Sequence, residues 1–493
     1  RRARERRRRV IRAQPFLVDA RIAVYEDPEG GVQLEVETRD EFSAIVDLNP
    51  VAEMPPVNVL RVGEANLLGN AILAMGQWRD GGPGFRDAVG GRLIDYQLLG
   101  RPYQLMAQGE RRRLGGFWDV DVSHPFFTDL QRVAWRMAAG SAQDHLRLRR
   151  PGAVEDRAIR YDRDHFDAAA ILRVGVPGRL SLFGASVSSE NVRVLDELVR
   201  YTPTGIRPDS GPSIGFVPSE RFRGQRTTRV SVLWGVRNVR FVPVTGFDAL
   251  TGVQDVRRGF QLGTAVGRGV GFMGSRDDDV FVSADVYVGA GGPRSFAALQ
   301  TDVEGRRDHD RKEWNGVVAS GRFAWYLVPS ERYRFVADVA YSGVWDSRIP
   351  VQLPLGGREG GVRGYGRSTD VGARRLTARL EQRWVLGSPF RLGDLGVATF
   401  AESGRVWAGD APLGITTPVR NAVGVGLLAA VPTRSRRLWR VDVAYPLDRA
   451  SGARLQVILS NRDLTRLFWR DPPDLLPTRE RAVPSSIFNW PQR

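Results

Sequence analysis

Arg363 is the side chain in this 493-residue sequence whose setting most suggests a specific chemistry. It stands in Gly361-Val362-Arg363-Gly364-Tyr365-Gly366, bracketed by glycines. Glycine lets a backbone bend sharply and pass close to another surface. Arginine offers a planar fork matched to a carboxylate and keeps its charge at any cellular pH. Further along comes Phe400-Ala401-Glu402-Ser403-Gly404. On an alternating backbone Glu402 shares a face with Ala398, Phe400 and Gly404, and the two small neighbours leave room for an incoming segment. Such groups hold a segment in place; they do not turn over a substrate. By residue type alone they are also compatible with two unrelated polar positions on a loop and a strand.

The patterns that would support catalysis are missing. His124, His145, His165 and His309 show no metal-ligand spacing such as H-E-x-x-H. Asp277-Asp278-Asp279 lacks the spaced ligands and final glutamate of a calcium loop and reads as a hydrated turn. The letters G-x-S-x-G occur at Gly211-Pro212-Ser213-Ile214-Gly215, but inside a Pro-rich stretch that reads as a long loop and not on the strand-to-helix turn of a nucleophile elbow, and there is no phosphate-binding loop. The sequence reads as that of a non-enzyme that calls for no cofactor and no metal.

The elements that must position these residues are strands. Residues 65–461 alternate strand and turn patterns with little helical periodicity. In Leu376–Trp384, Leu376, Ala378, Leu380 and Trp384 alternate with charged and polar residues. In Leu438–Tyr445, Trp439, Val441, Val443 and Tyr445 alternate with Arg440, Asp442 and Ala444. A soluble sandwich turning its apolar face inward gives the same alternation. The dense opposite charges of the polar face, and Trp and Tyr near strand ends, favour a transmembrane barrel with a hydrated interior. Five strand candidates follow the glycine-rich loop: Ala373–Val385, Leu395–Trp407, Asn421–Val431, Leu438–Pro446 and Ala453–Asn461. The segments 191–223, 302–312 and 345–372 read as long loops.

Composition agrees. The formal charge is +16, carried almost wholly by arginine. These arginines are spread along strands and not gathered into one stripe, which argues against nucleic acid. Cysteine is absent, which fits an oxidising compartment but excludes little. No run reaches the roughly 18 apolar residues of a spanning helix, and a barrel needs none. The opening Arg1-Arg2-Ala3-Arg4-Glu5 has no apolar core or cleavage site behind it. We read the sequence as beginning inside a domain.

Residues 1–45 read as helix (1–15), strand (Arg21–Tyr25), turn and strand (Val32–Thr38). Residues 46–64, with Pro50, Pro55 and Pro56, read as a linker. The strand region opens at Asn66-Leu67-Leu68-Gly69, its first strand predicted over Leu67–Trp78. Residues 462–493 read as a tail.

The loop Val362-Arg363-Gly364-Tyr365, the strand motif Phe400, Glu402, Gly404 and the later Val441-Asp442-Val443-Ala444-Tyr445-Pro446 together resemble the outer-membrane superfamily of BamA, TamA and the two-partner-secretion transporters. The resemblance implies an all-β fold: a transmembrane antiparallel barrel of about sixteen strands, here behind the C-terminal half of a POTRA domain. It implies that Arg363 contacts Glu402, one methylene longer than the aspartate usual there, and latches the loop inside the barrel. It implies a lateral seam between first and last strands, here Asn66, Leu67, Gly69 and Leu455, Val457, Leu459. Implied partners are unfolded outer-membrane or secreted client proteins, membrane lipids and lipopolysaccharide, and periplasmic or lipoprotein partners at the POTRA domain and tail. The implied location is the bacterial outer membrane, with the POTRA domain and both termini periplasmic. The function implied first is assembly or insertion of outer-membrane proteins; the alternatives are export of an exoprotein, and a passive porin or structural barrel.

Overall fold

The computed structural model describes residues 11, 14, 16–26, 31–50, 57–80, 87–112, 114–128, 130–149, 156–202, 205–209, 217–356, 360–366, 370–389, 392–448, 453–463 and 474–480. The first two strands, β1 (Leu17–Glu26) and β2 (Val32–Asp40), form a separate antiparallel hairpin. Then come β3 (Ala44–Pro50), β4 (Val57–Glu64), β5 (Ile72–Arg79), β6 (Ala88–Asp95), β7 (Gln104–Arg111), β8 (Gly116–His124) and β9 (Val133–Leu148). The long β10 (Asp156–Val176) and β11 (Arg179–Thr202) precede a short spur, β12 (Gly205–Pro208). The order continues with β13 (Gln225–Thr245), β14 (Val253–Gly269), β15 (Asp279–Gly291), β16 (Ser295–Asp308), β17 (Trp314–Leu327) and β18 (Tyr333–Trp345). Two short strands, β19 (Leu353–Pro354) and β20 (Val371–Gly372), pair with each other inside a loop. Last are β21 (Arg374–Gly387), β22 (Asp394–Trp407), β23 (Arg420–Ala430), β24 (Arg437–Pro446) and β25 (Gln456–Asp463).

From β3 onward neighbours pair antiparallel in one large sheet, β18 pairing directly with β21 across the intervening loop. The strand order curls round to bring β25 back beside β3. Because the chain alternates direction, the shortest connections, 177–178 and 292–294, fall at one edge, and the longest, such as 346–373 and 408–419, fall at the other; these are the short-connection and long-connection edges. The start of β3 and the end of β25 both lie at the short-connection edge.

The register decides which face each side chain takes. On β21, Leu376 and Leu380 face outward and are exposed, while Arg375, Glu381 and Arg383 face inward and are buried. On β13, Val232 and Trp234 face outward, and Arg229 and Arg237 are among the most buried side chains of the protein. On β24, Val441 and Tyr445 are exposed and Arg440 and Asp442 buried. A soluble sandwich would bury the opposite face. This inversion, apolar outside and charged inside, is the arrangement expected of a sheet with lipid outside.

The interior is filled by segments of the chain itself. The turn 246–252 between β13 and β14 folds inward: Phe247 stacks on Tyr326 at 4.7 Å between ring centroids, and Arg383 Nη1 donates to the Phe247 carbonyl at 2.6 Å. Ala249 and Leu250 reach across to Ala398, Leu428, Ala430 and Leu438 of β22–β24. At the short-connection edge, Glu41 accepts from the Ser435 hydroxyl at 2.6 Å and from the Arg436 amide at 3.2 Å, seating the β1–β2 hairpin on the β23–β24 turn.

Four expectations change. The stretch 46–64 is not a linker where it is described: β3 and β4 occupy most of it and join the sheet, and Pro50 ends a strand, where its missing N–H costs least. Leu67–Gly69 is a tight turn, so the strand predicted from Leu67 begins at Ile72; Asn66 Oδ1 accepts from the Ala71 amide at 2.8 Å and closes it. Among the described residues the order holds twenty-one strands, the spur included, against about sixteen expected. The segments 191–202 and 302–308, expected as loops, extend β11 and β16. Nearly all of the expected helix 1–15, and all of 464–473 and 481–493, lie outside the described residues.

Candidate functional site

The loop between β18 and β21 returns into the sheet. Its stem is the β19–β20 pair, extended where the Val362 amide donates to the Leu355 carbonyl and the Leu355 amide to the Asp370 carbonyl, both at 2.9 Å. Glycine is required in the bend for two separate reasons. Gly364 takes φ +86°, and a Cβ on Gly356 would fall 1.8 Å from the Tyr365 carbonyl oxygen. Val362, Arg363 and Tyr365 are all buried.

Arg363 lands on the inner face of β22. Its amide donates to Glu402 Oε2 at 2.8 Å, its Nε to Oε1 at 2.7 Å, and its Nη2 lies 2.6 Å from Oε1. Its Nη1 donates to Asp442 Oδ2 on β24 at 2.7 Å. The guanidinium carbon lies over the Phe400 ring, 3.3 Å from its centroid, which adds a cation–π contact in a buried setting. Around this core Arg379 pairs with Glu402, Arg383 pairs with Glu381, and Arg440 grips Glu381 through two bonds of 2.9 Å. Arg440 Nη2 also lies 3.0 Å from Asp442 Oδ1. Four guanidiniums and three carboxylates thus share one buried network, and several of its carboxylates bridge two arginines.

The strand motif is shaped to receive the loop. A Cβ on Gly404 would meet the Val362 side chain at 2.4 Å, and one on Gly424 would meet the Phe400 ring at 2.2 Å. Gly424 lies opposite Phe400 in the β22–β23 register, and Gly426 lies opposite Asp442 in the β23–β24 register. The loop also touches the last strand. Gly364 N donates to Gln456 Oε1 of β25 at 3.0 Å, and the Gly364 carbonyl accepts from the Arg454 amide at 3.1 Å. Tyr365 donates its hydroxyl to the Asn421 carbonyl at 2.8 Å.

The structure therefore brings together Val362, Arg363, Gly364, Tyr365, Phe400, Glu402 and Gly404. It does not bring together the six residues expected at a seam. Leu455, Val457 and Leu459 lie at or on β25, but Asn66, Leu67 and Gly69 form the turn after β4, with β3 and β4 between them and β25. Inserting two strands ahead of the expected first one moved the meeting place. Sequence reasoning missed the partners Asp442, Glu381, Arg379, Arg440 and Gln456. All but Gln456 stood on polar faces already visible in the alternation; their pairing depends on sheet curvature, which periodicity does not encode. Among the described residues no group of acidic or histidine side chains could hold a metal ion, and no helix is long and apolar enough to cross a membrane.

Fold and site define a large all-β sheet with an apolar outside, a charged inside and an inward loop pinned by arginine. No protein-family model and no curated protein matches the chain. Among solved structures it is similar to BamA from Haemophilus ducreyi lacking POTRA domains 1–3, at 12% identity over 93% of this chain and 77% of that one, with a TM-score of 0.43. It is similar to CdiB from Escherichia coli, at 14% identity over 92% and 70%, with a TM-score of 0.44. It is also similar to OccK5 (OpdH) from Pseudomonas aeruginosa, at 10% identity over 82% and 90%, with a TM-score of 0.31.

Proposed function

We propose that this chain is an outer-membrane barrel of the BamA, TamA and two-partner-secretion superfamily, and that it inserts client proteins into the membrane. The observation that carries the reading is the Arg363 loop, clamped to Glu402 and Asp442 on the inner face and bonded to Gln456 on the last strand. A loop held this way links the interior to β25, the strand that neighbours β3 at the sheet's meeting point. In this reading Arg363–Glu402 is a latch that sets the shape of that edge. The driving force comes from the client, whose unpaired backbone groups are costly in lipid until its own strands close. Residues 1–45 serve as the end of a POTRA domain, with the short-connection edge towards the periplasm. No nucleotide or metal takes part.

Export through the interior is the second reading, favoured by the arginine-rich inner wall. It requires the inner segments to move aside. A passive porin fits poorly, because the turn 246–252 and the Arg363 loop fill space that a pore leaves open.

Regulated depletion in the native host, with quantitative proteomics of outer membrane and medium, tests the proposal. Broad loss of outer-membrane barrels is expected. Loss of one large secreted protein with an unchanged membrane would instead establish the export reading, and no change in either fraction would remove both.

A further inference from the structure

Residues 474–480, Asp-Leu-Leu-Pro-Thr-Arg-Glu, belong to the segment 462–493 expected as a periplasmic tail. They lie instead against the inner wall near the long-connection edge. The reason is charge. Arg375 of β21 holds Asp474 through contacts of 2.6 and 3.3 Å. Glu480 is held by Arg306 of β16 at 2.8 Å and by Arg229 of β13. Between these ends Leu475 is fully buried against Val318, Val344, Val351 and Leu353. Arg163 Nη1 donates to the Pro477 carbonyl at 2.7 Å. The seat is close-fitting: the cavity remaining beside Pro477 and Thr478 measures about 20 Å³, room for roughly one water.

We propose that this is an internal peptide-binding site, that residues 474–480 are its resident ligand, and that an extended client segment with two carboxylates flanking an apolar anchor displaces them. Three observations support exchange. The segment joins no strand of the sheet and makes a single 3₁₀ turn, Leu476–Thr478, so leaving breaks no ladder. The wall arginines Arg163, Arg229, Arg306 and Arg375, with Val318 and Val344, are fixed on strands of the sheet, so most of the site persists when emptied. An empty site leaves Arg229 with Asp279 but takes from Arg306 the carboxylate that Glu480 supplies, and a buried guanidinium that loses its carboxylate creates a demand for another. The seat also connects to the Arg363 loop, since Arg375 donates to the Pro354 carbonyl at 2.7 Å and Leu475 packs on Leu353, both in the loop stem. Displacement is therefore sensed by the loop. Only the identity of the competitor rests on the insertion or export reading; the site and its resident do not.

The test uses the full chain in detergent and a fluorescent synthetic peptide of the sequence of residues 474–480, read by anisotropy. The double variant Asp474→Asn, Glu480→Gln loosens the resident segment and is expected to bind the peptide at least about tenfold more tightly than wild type, since a vacated site no longer carries the cost of internal competition. Adding Arg306→Gln should abolish that gain. Equal binding by wild type and double variant, or a gain insensitive to Arg306→Gln, overturns the proposal. A second measurement is independent of how well the double variant folds. The chain has no cysteine, so Thr478→Cys gives one labelling site. Excess peptide should accelerate its maleimide labelling, and a peptide with both acids replaced by amides should not. A rate unaffected by either peptide refutes displacement. Neither assay reads insertion or export, so its failure is distinct from failure of those functions.

Discussion

Replacing Arg363 by alanine should undock the loop and leave the sheet folded. The wild-type side chain engages Glu402 through Nε and Nη2 and Asp442 through Nη1, and its amide adds a further bond to Glu402. Removing one partner of a buried ion pair costs about 3–5 kcal/mol. Here the remaining acids keep other guanidiniums, Arg379 for Glu402 and Arg440 for Asp442. Alanine also retains the amide that reaches Glu402. The loss should therefore fall to about 2–3 kcal/mol, the scale of one or two hydrogen bonds to charged groups. At roughly 1.4 kcal/mol per tenfold, the undocked population rises about 30- to 150-fold. Glu402→Ala removes the acceptor of both the amide and the guanidinium and leaves Arg379 and Arg363 facing each other, so its cost should reach about 3–5 kcal/mol. The double variant should be little worse than Glu402→Ala, because the two residues act as one unit. Amide hydrogen exchange over 353–366 in the detergent-solubilised chain measures docking, and the global unfolding transition reports on the sheet. Wild-type protection in Arg363→Ala, or strict additivity in the cycle, would show that the loop is held by its stem and by Tyr365, not by the arginine.

Other substitutions probe the remaining parts. Gly404→Ala should raise loop exchange by an amount equivalent to about 1–3 kcal/mol of overpacking, because the new methyl meets Val362 at 2.4 Å; Gly76→Ala, whose nearest neighbour is the Val62 carbonyl at 3.9 Å, should leave exchange unchanged. Leu380→Arg places a charge on an outward face that is 64% exposed. In lipid vesicles it should destabilise by about 2–4 kcal/mol if that site sits at mid-bilayer, whereas on a water-exposed surface the change should stay within about 0.5 kcal/mol; the unfolding free energy in vesicles decides. A scan of cysteine pairs between residues 44–46 and 457–459 should yield a crosslink that blocks client insertion and spares export; the opposite pattern would assign the protein to export.

The parts of this architecture that depend on alternation were legible in the sequence. The strands from Arg374 to Asp463 fall within a few residues of their expected bounds, because each carries a clean period of two between polar turns. The inward placement of charge was legible only as one of two choices, since a sandwich and a barrel share the pattern. What remained hidden depends on distance through space. Asp442 is separated from Arg363 by 79 residues and Glu480 from Arg229 by 251, and no local rule pairs them. The strands β3 and β4 were hidden for a different reason: prolines at their junction resemble those of a linker, and only the ladder to β5 shows that they belong to the sheet.

The contents of the interior bear on which client path is physically cheaper. Passage of an extended chain through the middle requires the turn 246–252, the Arg363 loop and residues 474–480 to yield together. They are not independent obstacles. Arg383 bonds both the turn and Glu381 of the Arg363 network, and Arg375 bonds both the loop stem and Asp474. Clearing the interior therefore means breaking several coupled, buried charge contacts at once, each costing on the order of 1–3 kcal/mol when its partner is left unsatisfied. Opening an edge at β25 asks for less: it disturbs the Gln456 and Arg454 contacts to Gly364, the pairing with β3 and the Arg437 bonds to the Phe42 and Ala44 carbonyls, without emptying the interior. On this comparison the edge is the easier door, and a ligand that displaced residues 474–480 would loosen the loop stem that braces it. That ordering of costs is why insertion at the edge is the reading we favour over export through the interior.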